Sequence, residues 1–176
     1  MKSKPSKKKS SPALKNGLPG PEVHGLRELP GLQVDGYSLQ LRDKDGFVGD
    51  QASQTAFREL LERWRKRRRK EGRDPLGLSH SRNLSKKELD HALQAKKASE
   101  AADVMHGAIE EFAEELAYVI QRFTRQPSWQ KVERIVIGGG FPESDVGERA
   151  ILQASAILEE MGVHVRSEER RVGKEC

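Results

Sequence analysis

Residues 133–156 read ERIVIGGGFPESDVGERAILQASA, and the rest of the chain is organised around them. Ile135, Val136 and Ile137 form a β-branched run, the composition of a short strand covered on both faces. Gly138, Gly139 and Gly140 follow at once. They break the strand, and without Cβ atoms they let the backbone approach a neighbour or a ligand closely. Beyond Pro142, apolar residues recur at helical spacing (Ala150, Ile151, Ala154, Ile157, Leu158, Met161), and Gly162 stands where a helix C-cap glycine belongs. Val163 to Val165 reads as the start of a further strand. Strand, glycine turn, helix and strand make a βαβ unit, so this part of the chain belongs to a parallel α/β sheet.

A glycine turn at the carboxyl end of a parallel strand offers open backbone N–H groups beside the positive end of a helix dipole. Ligands of α/β sheets bind at that edge. No Gly-Lys-Ser/Thr follows, which excludes a phosphate-binding Walker loop, and the G-x-G-x-x-G spacing of a dinucleotide site is not met. Two readings stay open on the residues alone: a nucleotide or phosphate site, and a tight structural βα turn.

With ERIVIGGGFPES followed by an Ala/Leu-rich helix, residues 133–165 resemble the adenosine-motif region of the ROK family of sugar kinases and repressors, part of the actin-like ATPase superfamily. The wider stretch from Gln33 is similar to members of that family as well. The resemblance implies an incomplete actin-like/ribonuclease-H-like layer with ATP and Mg as cofactors. It places Gly138, Gly139 and Gly140 against the adenosine, with a nucleotide as partner and a sugar as the acceptor in an intact protein. The departures are specific. The family's Asp-x-Gly-x-Thr phosphate loop has only Val34-Asp35-Gly36-Tyr37-Ser38 to set against it, with the glycine one place early, and that stretch reads as a turn or bulge. The family's Glu-x-x-Gly-His, cysteine-rich zinc motif and catalytic aspartate are not found. The expectation is a fragment of a ROK-like sugar-kinase-type protein, not catalytically complete by itself.

Arg166 to Cys176, RSEERRVGKEC, resembles codon by codon a translated sequencing-adapter oligonucleotide, so residues 166–176 are expected to be a non-native tail. Cys176, the single cysteine, falls within it, and no disulfide framework is expected. Residues 1–31 read as a disordered basic tail, with Lys2, Lys4, Lys7, Lys8, Lys9 and Lys15 among prolines and few large apolar side chains. Between the two tails, residues 32–165 are expected to form a partial α/β domain. No apolar run approaches the roughly 18 residues that cross a bilayer, so no membrane contact and a cytoplasmic location are expected.

Tyr37, Leu39 and Leu41 alternate as in a half-buried strand, and Asp43 to Gly46 supplies a turn into Phe47-Val48, a β-hairpin. Asp43 and Asp45 read as turn residues, since the later ligands of a calcium loop are missing. Asp50 is the expected cap of a helix over 51–71, with Phe57, Leu60, Leu61 and Trp64 on one face. The block from Arg63 to Lys70 supports a second class of function, a non-catalytic interaction or nucleic-acid-associated protein that uses its basic tail and basic helix. Ser85-x-x-Glu88 is a capping box for a short helix ending near Gln94, with Leu84 and Leu89 as the staple. Ser99 caps the longest helix, about 100–125, expected to be the main packing partner of the sheet, with Trp129 over the strand edge. Glu110, Glu111, Glu114 and Glu115 read as a solvated acidic face. The expected class is helix-rich α/β with a short parallel sheet and a β-hairpin.

Overall fold

Four helices carry the fold: α1 (Gln54–Lys70), α2 (Lys86–Leu93), α3 (Glu100–Thr124) and α4 (Asp145–Glu160). The computed structural model describes residues 28–29, 32–34, 41–44, 46–95, 99–138, 141–164 and 166–169, with backbone only at 28, 29, 32 and 166–169. Strands β1 (Glu28–Leu29) and β2 (Leu32–Gln33) pair antiparallel, as do β3 (Arg42–Asp43) and β4 (Gly46–Phe47). Strands β5 (Arg134–Ile137) and β6 (Arg166–Glu169) pair in parallel, Arg134 opposite Arg166 and Ile137 opposite Glu169. The protein is helix-rich mixed α/β with a short parallel sheet; the described hairpin has Arg42–Asp43 as its first strand, reaching into the expected turn, and the Tyr37 and Leu39 positions of the expected first strand lie outside the described residues.

Each helix starts on a serine. Ser53, Ser85, Ser99 and Ser144 stand in extended backbone, and their side-chain oxygens accept the N–H groups of Ala56, Glu88, Ala102 and Gly147. One of the donors that every helix start leaves open is thereby satisfied. Ser85 and Glu88 complete the capping box. The first helix corrects the expectation for Asp50: residues 48–52 form a 3-10 turn that contains Asp50, and Ser53 takes the cap. At the far end of α4, Gly162 has φ 73°, its N–H bonds to the Glu159 carbonyl, and the Val163 N–H reaches Leu158. This is a Schellman ending, which needs the left-handed residue that glycine supplies.

Helix α3, 25 residues and about 37 Å long, is the hub. Its apolar stripe (Val104, Met105, Ala108, Ile109, Phe112, Leu116) is buried against α1, α2 and α4, most extensively α4. The expectation that α3 chiefly supports the sheet is thus corrected. The described sheet is two short strands, and three helices already consume the stripe. A smaller cluster joins Val48, Val119 and Phe123. Trp129 packs against this cluster as well as the main one that includes Ile135 of β5: the 3-10 turn at Pro127–Trp129 folds its ring to 4.8 Å from that of Phe123. The β3–β4 hairpin is tied to α3 by Arg122, which bonds Asp43 at 2.7 Å.

The βαβ unit is present, with its return strand at Arg166 instead of Val163. The Schellman turn occupies Gly162 and Val163, so the chain needs a few more residues to come back to the sheet. Strand β6 lies within the stretch that reads as adapter sequence. Residues 35–40, with the Asp35-Gly36-Tyr37-Ser38 turn, and 1–27 of the basic tail lie outside the described residues.

Candidate functional site

The glycine corner joins β5 to α4. Gly138, the first residue past β5, is exposed, and a Cβ built on it would meet no atom of the described residues within 4 Å. Its φ is ordinary, so backbone strain does not demand glycine there. Gly139 and Gly140 lie outside the described residues. From Phe141 onward the chain is firmly anchored. The Phe141 ring sits 5.3 Å from that of Phe57 and 5.1 Å from that of Phe112, while Phe57 and Phe112 meet edge to face at 5.5 Å. Such aromatic pairs contribute roughly 0.5–1.5 kcal/mol beyond their burial. The apolar core of α1 and α3 therefore extends to the start of this corner.

Ser144 closes the next turn, donating its hydroxyl to the Phe141 carbonyl at 2.8 Å while accepting the Gly147 N–H at 3.1 Å. Gly147 is buried, and a Cβ on it would collide with the Phe141 carbonyl oxygen. Helix α2 holds the same segment from outside: Lys86 meets Glu143 at 2.8 Å, Asp90 accepts the Val146 N–H at 3.2 Å, and Gln94 meets Asp145 at 2.6 Å. The Lys86 ammonium holds the Glu143 carboxyl below the usual carboxylate range. Two first-turn N–H groups of α4, at Val146 and Gly147, are thus already bonded within the protein. What the corner presents is a bare strand end at Gly138 beside an aromatic anchor.

The basic helix end is built differently from its sequence. Arg65 is fully buried and spreads its guanidinium over Asp74 (3.1 and 3.0 Å), Ser81 Oγ (3.0 Å) and the carbonyls of Gly77 (2.8 Å) and Ser79 (2.7 Å). Arg69 bonds Glu62 at 2.7 Å and Asp74 at 2.6 Å. Burial pushes the Glu62 carboxyl up, but hydrogen bonds from the Ser81 hydroxyl and N–H and from Arg69 outweigh it and hold the pKa at about 2. Burial also raises Asp74, and the bonds from Arg65 and Arg69 bring it below its ordinary value. Around this cluster, Arg63 pairs with Glu111, Arg68 with Glu71, and Arg67 lies over the Trp64 ring at 5.2 Å. Much of the block that could meet a phosphate backbone is engaged within the protein, and its buried members tie down the loop between α1 and α2.

Glu111 accepts the Trp64 indole N–H at 2.8 Å, whereas Glu110, Glu114 and Glu115 are exposed, the solvated face the sequence suggests. Among the described residues, no three His, Cys, Asp or Glu side chains come together as a group that could hold a metal ion, and no helix is long and apolar enough to cross a membrane. The carboxylates nearest the corner, Asp90, Glu143 and Asp145, are bonded to protein partners, so no Mg-binding role is assigned to them.

Sequence reasoning missed Phe141, Asp90 and Gly147. Ser144, followed by Asp145 and Glu148 in the first helical turn, did carry a readable N-cap signal. No protein-family model, curated protein or solved structure matches this chain.

Proposed function

We propose that the chain contributes the adenosine-facing edge of an ATP-binding domain of the ROK sugar-kinase type, with an actin-like/ribonuclease-H-like layer and a cytoplasmic setting. The observation that carries the proposal is Gly138: it ends a parallel strand of a βαβ unit, it is exposed, and among the described residues no atom stands within 4 Å of its missing Cβ. A flat base or ribose can lie against such a backbone without meeting a side chain. Gly139 and Gly140 share that role through the resemblance alone. In the intact reaction ATP, with Mg, supplies the γ-phosphoryl group for a sugar hydroxyl, a transfer achieved mainly by positioning and charge neutralisation. The share of this chain is to seat the nucleoside.

The test is an adenosine titration of the isotopically labelled full chain, followed at the Gly138 amide. A saturable shift is expected. A Gly138 amide that stays still at millimolar adenosine and millimolar ATP would remove the proposal.

A further inference from the structure

From Arg63 to Lys70, helix α1 holds seven basic residues, one tryptophan and no carboxylate. The fold sorts these cations into two sets. Arg65 is fully buried and Arg69 turns to the same inner cluster, where Glu62 and Asp74 meet both. Lys66, Arg67 and Lys70 stay exposed, and among the described residues no carboxylate stands within 4 Å of their charges. With Arg63 they fall at i, i+3, i+4 and i+7, one outer face of the helix. Arg63 makes a solvent-exposed pair with Glu111, which contributes little on its own. The exposed carboxylates on either side of this stretch, Glu59 and Glu71, are themselves paired with Arg82 and Arg68. Arg67 is steadied by the Trp64 ring, 5.2 Å from its guanidinium carbon, and that ring is fixed in turn by Glu111 and Gly107.

We propose that the outer face of α1, formed by Arg63, Lys66, Arg67 and Lys70, docks the phosphate backbone of duplex nucleic acid without regard to sequence. Charge complementarity carries the assignment. Two helical turns present a row of cations about 10 Å long, and a DNA duplex carries one negative charge per roughly 1.7 Å of its axis. Each cation that meets a phosphate releases a condensed counterion, which drives the association. A membrane surface fits less well: a helix that lies in a bilayer interface inserts an apolar face, and that of α1 (Phe57, Leu60, Leu61) is consumed by the core. Cations near a helix end also favour its dipole, but that contribution leaves no trace in ligand binding. The assignment uses no residue of the glycine corner and stands without the nucleotide reading.

The test follows a fluorescent DNA duplex by anisotropy as the full chain is added over a series of salt concentrations. One variant carries Lys66→Gln, Arg67→Gln and Lys70→Gln; a second keeps the charge with Lys66→Arg and Lys70→Arg. A third removes the same charge from exposed lysines on other elements, with Lys44→Gln, Lys87→Gln and Lys131→Gln. The lysines of residues 1–15 add the same contribution to every protein compared. The slope of log affinity against log salt should fall by about 0.9 for each lost phosphate contact, hence by two to three in the first variant. Its affinity at roughly 0.1 M salt should drop at least about tenfold, while the second and third variants bind as the parent does. Should the triple variant lose its fold, Lys66→Gln and Lys70→Gln alone each lower the slope by about one. A folded first variant that matches the parent overturns the proposal, and so does a third variant that weakens binding as much as the first. Phosphatidylserine vesicles form the last arm: a first variant that loses vesicle binding yet holds the duplex as the parent does gives the face to a membrane and overturns the proposal.

Discussion

Gly107 of α3 lies directly against the Trp64 indole of α1: a Cβ on it would stand 2.6 Å from the ring carbon Cη2. The two helices approach this closely because the position has no side chain, and one turn further on Glu111 takes the indole N–H. Alanine is the better helix former by roughly 1 kcal/mol, so propensity alone favours Gly107→Ala. Overpacking opposes it, at typically 1–3 kcal/mol. The variant is expected to be less stable, with a changed tryptophan emission, as read in urea melts. A variant as stable as the parent would mean that α1 and α3 separate at little cost.

Gly138 and Gly147 should respond oppositely to substitution. Gly138→Val adds a side chain at an exposed position with ordinary φ and no neighbour among the described residues, so stability should stay within about 0.5 kcal/mol. Its side chain would stand on the face proposed for the nucleoside, and adenosine affinity should fall at least about tenfold, a loss of roughly 1.4 kcal/mol. Gly147→Ala drives a methyl group into a carbonyl oxygen fixed by the backbone, and a loss of about 2 kcal/mol or more is expected. Chemical denaturation of the two variants side by side separates these cases. Unchanged adenosine binding in Gly138→Val would contradict the seat assigned to Gly138.

Arg65 is a buried charge whose guanidinium is answered by Asp74, Glu62, Ser81 and the loop carbonyls of Gly77 and Ser79. Removing it leaves Glu62 and Asp74 short of their partner, and about 3–5 kcal/mol should be lost in Arg65→Ala. Lysine restores the charge without the planar fork, so Arg65→Lys should recover only part of the loss. Limited proteolysis offers a second readout, with new cleavage expected between Gly72 and Ser81. A resistant loop in Arg65→Ala would show that other contacts hold it.

Glu62 gives stability an acid limb. Its ordinary pKa of 4.5 is lowered to about 2 in the folded protein, so the unfolded chain takes up the proton first as pH falls. The stabilisation is complete above 4.5 and disappears as pH drops through that range towards 2. Glu62→Gln should be less stable at pH 7 and should show a shallower loss of urea midpoint between pH 6 and pH 3. Parallel pH profiles for the two proteins would mean that Glu62 is not the group responsible.

The helices were legible because their signals are local. Ser85-x-x-Glu88, Ser99 and the 3.6-residue apolar stripes each act within one or two turns. Asp50 misled because Ser53, three residues later, competes for the same helix start and wins with its side-chain bond to Ala56. The character of the basic block was half visible. Arg65 falls four residues after Leu61, hence on the buried face, but its partners Asp74 and Ser81 come from a loop that no periodicity describes. At the glycine corner the strand and the helix could be read, whereas the grip of Asp90 on Val146 joins elements 56 positions apart and exists only in the folded chain.

The wedge of Phe141 between Phe57 and Phe112 has a thermodynamic consequence. The start of α4 is fastened to the same aromatic cluster that holds α1 to α3, so it cannot swing outward unless that cluster opens. The order of this edge and the integrity of the helical core should therefore disappear together on heating, in one cooperative step. A ligand reaching it would find the Phe141 side of its seat already immobilised, with that ordering entropy surrendered when the chain folded.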